Sequence, residues 1–452
     1  MPFERESLTL LDEALALLED GFRRLPHVPQ HINITQMREP LLAVAHRLQD
    51  NAPYHHPLYI GHMQKPPHPI ARLAYMLTLW LNPNNHAYDG GRASSIMEKE
   101  AIDEIARMFG WASAQGHLCG GGTLANFEAL WVAREQLPGK AVAASCQAHY
   151  THERLSGVLG MPFEAISTDA RGRMDVAALE DALRDGKIGT VVVTLGTTGT
   201  GAVDPLDAIL DLRLRYAFRV HVDAAYGGYF TLVDNLDIET RRALDLVSQA
   251  DSIALDPHKH GLQPYGCGCI LFRDSAVRHH YHHKSPYTYL STDDPHLGEI
   301  SLECSRPGAA AVALWATQRL LPLVHNGIFA QDLASGREAA LSLYRALSTD
   351  TRFAQISPPQ LDIVAWAVRA DTASQASLRA RTIYTSAMKI DLHLSMVTLP
   401  KAMLEVNNPV RIWDTDSIVC LRACVMKPEH NEWIIEILAR LDASAANLGQ
   451  GL

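Results

Sequence analysis

Hydrophobic and polar positions follow two rhythms along this chain, and the rhythm changes with position. Near the start, Leu8, Leu10, Leu11, Leu15, Leu17 and Leu18 recur behind an acidic opening, which predicts an amphipathic helix. The stretch Asn51 to Pro69 interrupts the pattern, because its prolines forbid regular helix; we expect it to line something. From Ser95 to Gly110, Ile96, Ile102, Ile105, Met108 and Phe109 return to helical spacing, with Gly110 as the stop. Short β-rich runs then alternate with amphipathic helices, the pattern of a mostly parallel sheet covered on both faces. Three runs, Thr190 to Leu195, Phe218 to Val222 and Asp251 to Leu255, each end in a polar or glycine-rich cluster. Ligands of open α/β sheets bind beyond the carboxyl ends of the strands, so these ends are expected to meet in one crevice. Ala309 to Leu321 reads as a helix ended by Pro322, and strands near Ile363 to Val368 and Ile418 to Met426 predict a small C-terminal α+β domain.

Composition narrows the class. The chain has 452 residues, 47% apolar and 20% charged, an ordinary globular composition with room for two or three packed units. Its formal charge of −10 argues against a nucleic-acid partner, which needs a basic face to release counterions. The longest nearly apolar run, Ile70 to Leu81, contains Arg72 and falls short of the roughly 20 residues that span a bilayer, so no membrane partner is expected. Without a basic n-region at the start, a cytoplasmic location is expected. Seven cysteines with no C-x-x-C pair suit reduced buried thiols better than disulfides or zinc.

Three clusters could carry chemistry. Gly120-Gly121-Gly122-Thr123 runs straight into a good helix, whose free N–H groups and dipole end suit a phosphate. Taken alone, it could as well be a flexible turn. His221-Val222-Asp223-Ala224-Ala225-Tyr226 delivers an acid to a strand end, where a carboxylate can pair with a cationic ring nitrogen while Ala225 leaves room for a flat ring. A lone Asp223 would more simply cap a turn. Asp256-Pro257-His258-Lys259 fixes a lysine at a third strand end, where desolvation and nearby cations would make it a Schiff-base nucleophile; a lone lysine would be surface decoration. Phosphate cradle, ring-nitrogen acid and lysine, in that order, are the three anchors that pyridoxal 5′-phosphate requires.

At these residues the sequence resembles the fold-type-I pyridoxal-phosphate enzymes, and among them the group II amino-acid decarboxylases. Asp256-Pro257-His258-Lys259 is similar to the family's cofactor-lysine motif and His221 to Tyr226 to its ring-nitrogen motif. Gln147-Ala148-His149-Tyr150 resembles the segment whose histidine stacks on the cofactor, and Thr194-Leu195-Gly196-Thr197-Thr198 the turn that sets a threonine beside it. The resemblance implies an α/β fold with a mostly parallel seven-stranded sheet flanked by helices, an N-terminal helical segment (1–80, dimer and substrate wall), a large cofactor-binding domain (81–325) and a small C-terminal domain (326–452). It implies that Lys259 holds the cofactor, that Asp223 keeps its ring nitrogen protonated, that Gly122, Thr123 and His258 hold the phosphate, and that His149 stacks on the ring as a catalytic group. Thr198, Ala225 and Asp256 are implied around the ring. Ser305-Arg306-Pro307 resembles a stretch that approaches the neighbouring subunit's cofactor, which implies a homodimer with shared active sites. The closing proton is implied to come from a loop tyrosine, Tyr289 or else Tyr287. No metal is expected; His279 to His283 reads as a solvated segment, as does the acid-rich face from Glu98 to Glu104, unless that face is a dimer contact.

The expected activity is decarboxylation of an L-amino acid. Other outcomes on the same cofactor are oxidative decarboxylation-deamination, an aldehyde-lyase step, aminotransfer with Arg422 holding the α-carboxylate, or binding without catalysis. The substrate wall is expected at Tyr54 to Lys65, with Tyr59, His62, Lys65 and the nearby Asn82 as substrate contacts. Its donors and positive charge favour a polar or acidic side chain. The alternative is that Lys65 and Arg92 point away and Tyr59, Met63 and Tyr88 line an aromatic pocket.

Overall fold

The computed structural model of the protein describes residues 3–28, 32–282 and 300–446. Its largest sheet has seven strands: β1 (Gln115–Cys119), β2 (Ala141–Ser145), β3 (Phe163–Ile166), β4 (Ile188–Thr194), β5 (Arg219–Asp223), β6 (Ser252–Leu255) and β7 (Gly268–Phe272). They lie in the order β1-β7-β6-β5-β4-β2-β3, with β7 antiparallel to both neighbours and the other pairs parallel. Every residue of β4 is buried, as its β-branched Ile-Gly-Thr-Val-Val-Val-Thr run requires of a strand covered on both faces. The runs expected at β4, β5 and β6 are therefore strands, with one shift of consequence. Asp223 is the last residue of β5 and pairs with Thr194 and Ala254, so it is held in the ladder and does not swing in a loop.

The first six α-helices are α1 (Leu8–Gly21), α2 (Ile34–Leu48), α3 (Pro69–Thr78), α4 (Arg92–Met108), α5 (Gly122–Gln136) and α6 (Thr151–Leu159). Pro69 occupies the first turn of α3, where its missing N–H costs nothing, and the preceding Pro/His-rich stretch stays non-helical. That stretch is stitched to a second sheet: Ile60 donates to His393 O at 3.0 Å, and Cys424 donates to Ile60 O at 2.7 Å. Gly61 makes the contact possible, since a Cβ there would stand 2.8 Å from the Leu394 carbonyl oxygen. The second sheet is four antiparallel strands in the order Ser395–Pro400, Ser417–Cys424, Ile363–Val368, Phe353–Gln355. Trp366 lies at its centre, fully buried. Neither α1 nor α2 has a buried residue; Leu17 and Leu41 are among the apolar side chains exposed on them. Among the described residues no helix is long and apolar enough to cross a membrane. Five cysteines are buried as expected, but Cys146 and Cys304 are exposed.

One expectation fails on α4. Glu98 is not on a solvated face: it is 1% exposed, takes a hydrogen bond from the Leu118 amide at 2.9 Å, and meets Arg306 Nη1 at 2.6 Å. The helix was read from composition as charged outward, whereas Glu98 shares the inward face with Ile102 and Ile105. Arg306 thus anchors the segment after residue 300 to β1 and α4. Arg306→Leu is expected to destabilise the chain by about 3–5 kcal/mol, because Glu98 would remain buried without its cation. A urea unfolding curve checks this; a change below about 1 kcal/mol would mean that the pair contributes little.

Candidate active site

Five strand ends meet around one cavity of about 610 Å³. At the end of β1, Gly121 has φ +141°, a conformation that a Cβ disfavours, and turns the chain into α5. Gly122 sits so close to Asp256 that a Cβ would stand 2.7 Å from Oδ2, and a Cβ on Gly268 would meet the Gly121 backbone at 2.5 Å. The three glycines let the turn nestle between β6 and β7. They also leave Gly121, Gly122 and Thr123 on the cavity wall, where the first-turn amides of α5 have no intrahelical acceptor and the helix dipole favours an anion.

In the same cavity, Asp223 and Ala225 lie at the end of β5, and Asp256, His258 and Lys259 follow the end of β6, with Asp256 and His258 against the cradle. Lys259 Nζ lies 3.0 Å from Asp256 Oδ2, so the group against the amine is an acid and not the cations expected. His258 Nε2 is 3.5 Å from the same oxygen. Asp256 Oδ1 and His258 Nδ1 are buried and have no partner among the described residues, which leaves polar capacity free at the cradle. His149 follows β2; the Thr151 amide donates to its Nδ1 at 3.3 Å, so the neutral ring carries its hydrogen on Nε2. Burial holds the His149 and His258 rings below their ordinary values. Burial pushes the Asp223 carboxyl upward, but the His152 hydrogen bond and the charges of His152 and Lys259 outweigh it. Asp223 stays well below the usual carboxylate range.

The cavity thus gathers Gly122, Thr123, His149, Thr198, Asp223, Ala225, Asp256, His258 and Lys259. Amide donors, an ionised acid and a primary amine lining one cavity fit the phosphate, ring nitrogen and carbonyl of pyridoxal 5′-phosphate. Met63, Phe127 and Leu155 supply apolar wall. Tyr287 and Tyr289 lie outside the described residues. Ser305 is exposed and accepts from Asn84 Nδ2 at 3.2 Å, away from its own chain's cavity.

The expected substrate contacts are not brought together. Asn82 is exposed. Lys65 lines a separate cavity with Lys427 and Asp332, and its ammonium donates to Met426 O at 3.1 Å. Tyr59 is buried under the Lys427 ammonium, 5.5 Å from the ring centre. His62 stands 3.4 Å from Arg422, whose guanidinium also donates to Thr198 O and Ser395 Oγ. Arg92 lies over Tyr88, both exposed. A spacing argument cannot see the placements of Lys65, Tyr59 and His62, because Met426, Lys427 and Arg422 are each more than 350 residues away in sequence.

Sequence reasoning missed two residues. His152, fully buried, lies 2.9 Å from Asp223 Oδ2, and Asn126 Nδ2 lies 3.3 Å from the same oxygen. The signal available was a second histidine three residues after His149, in the first turn of α6, and an amide in α5 three residues after the glycine motif. Asn126 Oδ1 in turn meets His221 Nε2 at 2.7 Å, and His221 Nδ1 meets Ser252 Oγ at 2.9 Å.

Burial lowers His221 and also His430 to about 3. Unfolding returns both to the ordinary value near 6.5, so between these pH values the unfolded chain binds more protons than the folded one. Stability is therefore expected to fall as pH drops from about 6.5 towards 3, by up to about 1.4 kcal/mol per pH unit for each histidine. Urea midpoints measured across that window check it; a flat profile would mean that these rings are protonated in the fold.

The family model described as pyridoxal-dependent decarboxylase conserved domain matches residues 130–369, more than half of the chain. The L-tyrosine decarboxylase of Enterococcus faecium is 30% identical, with 67% of this chain and 66% of the relative covered. The L-2,4-diaminobutyrate decarboxylase of Acinetobacter baumannii is 30% identical, with 58% of each covered. The probable L-aspartate decarboxylase of Halobacterium salinarum is 34% identical, with 55% of this chain and 69% of the relative covered. The chain therefore spans less than two thirds of the length of the first two of these relatives, 66% and 58%. Among solved structures, mouse CSAD matches with a TM-score of 0.78 at 22% identity, covering 96% of this chain and 91% of that one. Oryza sativa TDC with PLP and tryptamine matches with a TM-score of 0.77 at 19% identity, covering 99% of both. At such identities the likeness shows the fold.

Proposed function

Because the chain belongs to the pyridoxal-dependent decarboxylase family, we propose that it removes the α-carboxylate of an L-amino acid as CO2, with pyridoxal 5′-phosphate as cofactor. The observation that carries the proposal is the meeting of Lys259, the ionised Asp223 and the glycine cradle in one cavity. When bound, the cofactor supplies a cationic conjugated ring able to take up the electron pair of the breaking carbon–carboxylate bond. The chain's own part is placement. The amides of Gly122 and Thr123, with His258, bind the phosphate. Asp223, kept ionised, favours the protonated ring nitrogen, and Ala225 beside it leaves space for a flat ring. Lys259 holds the cofactor through its amine, with Asp256 at 3.0 Å as the group that can exchange a proton with it. His149 and Thr198, which line the same cavity, would hold the ring, and Met63, Phe127 and Leu155 would keep water from the reacting carbon.

The proton returned to that carbon is assigned to Tyr289, with Tyr287 as the alternative. Tyr289→Phe is expected to slow amine release by about 10²-fold or more while leaving cofactor affinity unchanged, the scale of a lost general acid. Tyr287→Phe is the control, and unchanged product and rate in both variants would mean that the donor lies elsewhere.

The substrate reading is broader than the one the wall suggested. Lys65, the cation that favoured an acidic side chain, is engaged by Met426 in another cavity. The relatives act, by their names, on tyrosine, 2,4-diaminobutyrate and aspartate, which span aromatic, cationic and acidic side chains. The proposal therefore commits to an L-amino acid without naming it. Assaying CO2 and amine from tyrosine, tryptophan, glutamate, aspartate and 2,4-diaminobutyrate tests it; amino-group exchange without CO2 would replace it by aminotransfer. A homodimer with shared sites belongs to the same proposal. The exposed leucines of α1 and α2, and Ser305 standing outside its own chain's cavity, support it. Sedimentation of the full chain as a monomer would remove it.

A further inference from the structure

The carboxylate of Asp223 is unevenly occupied. Oδ2 faces two groups, His152 Nε2 at 2.9 Å and Asn126 Nδ2 at 3.3 Å, while Oδ1 accepts one hydrogen bond, from the Ala225 amide at 3.1 Å. An ionised carboxylate has no hydrogen to give, so each neighbour must be a donor, and each oxygen offers two lone pairs. Oδ2 is full. Oδ1 has one place left, on the residue that lines the cavity.

The donors are fixed in direction. Asn126 must turn its Nδ2 to Asp223, which leaves its Oδ1 to accept from His221 Nε2 at 2.7 Å. His221, neutral, then carries its hydrogen on Nε2 and accepts at Nδ1 from the Ser252 hydroxyl at 2.9 Å. The series Ser252, His221, Asn126, Asp223 therefore donates one way throughout, and each bond strengthens the next. His152 joins it from α6. Its Nδ1 is buried and has no partner among the described residues, so the only hydrogen bond found for this ring is the one to Asp223. An apolar side chain would fill the same space without a bare buried nitrogen. Folding alone does not explain the imidazole.

We infer that His152 is a positioning residue which, together with Asn126, saturates Oδ2 of Asp223 and so presents Oδ1 as the acceptor for the ring nitrogen of the cofactor. The inference rests on the proposed function in placing that nitrogen at Asp223. It adds which oxygen is used and which residue fixes the choice. Without His152, Oδ2 regains an open lone pair, and the carboxylate loses the contact that most favours its ionised form inside a buried site.

Binding to the cofactor-free full chain tests this without turnover. Two ligands are titrated by fluorescence: pyridoxal 5′-phosphate, and an analogue with the same aldehyde and phosphate arms in which carbon replaces the ring nitrogen. His152→Leu is expected to weaken pyridoxal 5′-phosphate about tenfold and leave the analogue nearly unchanged, so the preference of the wild type for the nitrogen ring falls about tenfold. His152→Gln, which keeps a side-chain donor, is expected to restore most of the preference. Equal weakening of both ligands would show a merely structural role and overturn the inference, as would an unchanged preference. Should the leucine variant fail to fold, His152→Met compared with His152→Gln makes the same measurement. Failure of the wild type to bind pyridoxal 5′-phosphate, or attachment at a lysine other than Lys259, would instead remove the proposed function.

Discussion

Lys259→Ala is expected to lower amine and CO2 release by about 10⁴-fold, the scale of losing both a covalent anchor and a proton-transfer group. The same variant should no longer retain cofactor through borohydride reduction and denaturation, and peptide mapping of the wild type should place the label on the Asp256-Pro257-His258-Lys259 peptide. The choice of lysine is not trivial, because basicity alone points elsewhere. Burial lowers Lys65 to about 8 and Lys427 to about 7, which leaves each with more free amine at neutral pH than an ordinary lysine. Geometry decides against them. Lys65 donates to Met426 O and Lys427 to Tyr59 O, and both line a cavity that contains neither the glycine cradle nor Asp223. Lys259 shares its cavity with both and has Asp256 at 3.0 Å to exchange a proton. Label on Lys65 or Lys427 would refute this ranking of geometry over basicity.

Asp223→Ala is expected to lower kcat by about 10²–10³-fold, the usual scale for removing one preorganised charge from the site where electrons accumulate. Cofactor affinity should fall with it, since the ring nitrogen loses its partner. Asp223→Asn separates charge from shape: it keeps the volume and an acceptor oxygen but cannot hold the nitrogen in its protonated form, so its kcat should resemble that of the alanine variant while its Tm stays nearer the wild type. The stability effect also has a sign in pH. The folded carboxyl lies below its ordinary value, so its contribution is fully present above about pH 4 and is lost as pH falls through the folded value. Removing Asp223 should therefore destabilise the chain at neutral pH and matter less in acid. Near-normal turnover in the alanine variant would mean that another group holds the ring nitrogen.

Much of this was open to the sequence, for reasons local to it. β4 and β5 are legible because β-branched runs bounded by polar clusters leave few alternatives to a strand buried on both faces. The glycine cradle and the Asp-Pro-His-Lys segment are legible because close backbone approach and a fixed lysine need those residue types in that order. Local pattern reports which face of an element turns inward, but not what it meets there. Glu98 was misread because nothing near it in sequence reveals Arg306, and Lys65 was assigned to the substrate because nothing near it reveals the Met426 carbonyl. The same blindness hid His152, whose partner is 71 residues away. The sequence by itself determined the fold class and the kinds of group available for chemistry. Only the tertiary structure decided which acid stays ionised, which lysine faces the cradle and which cations are already engaged, because desolvation and pairing depend on groups brought together from distant parts of the chain.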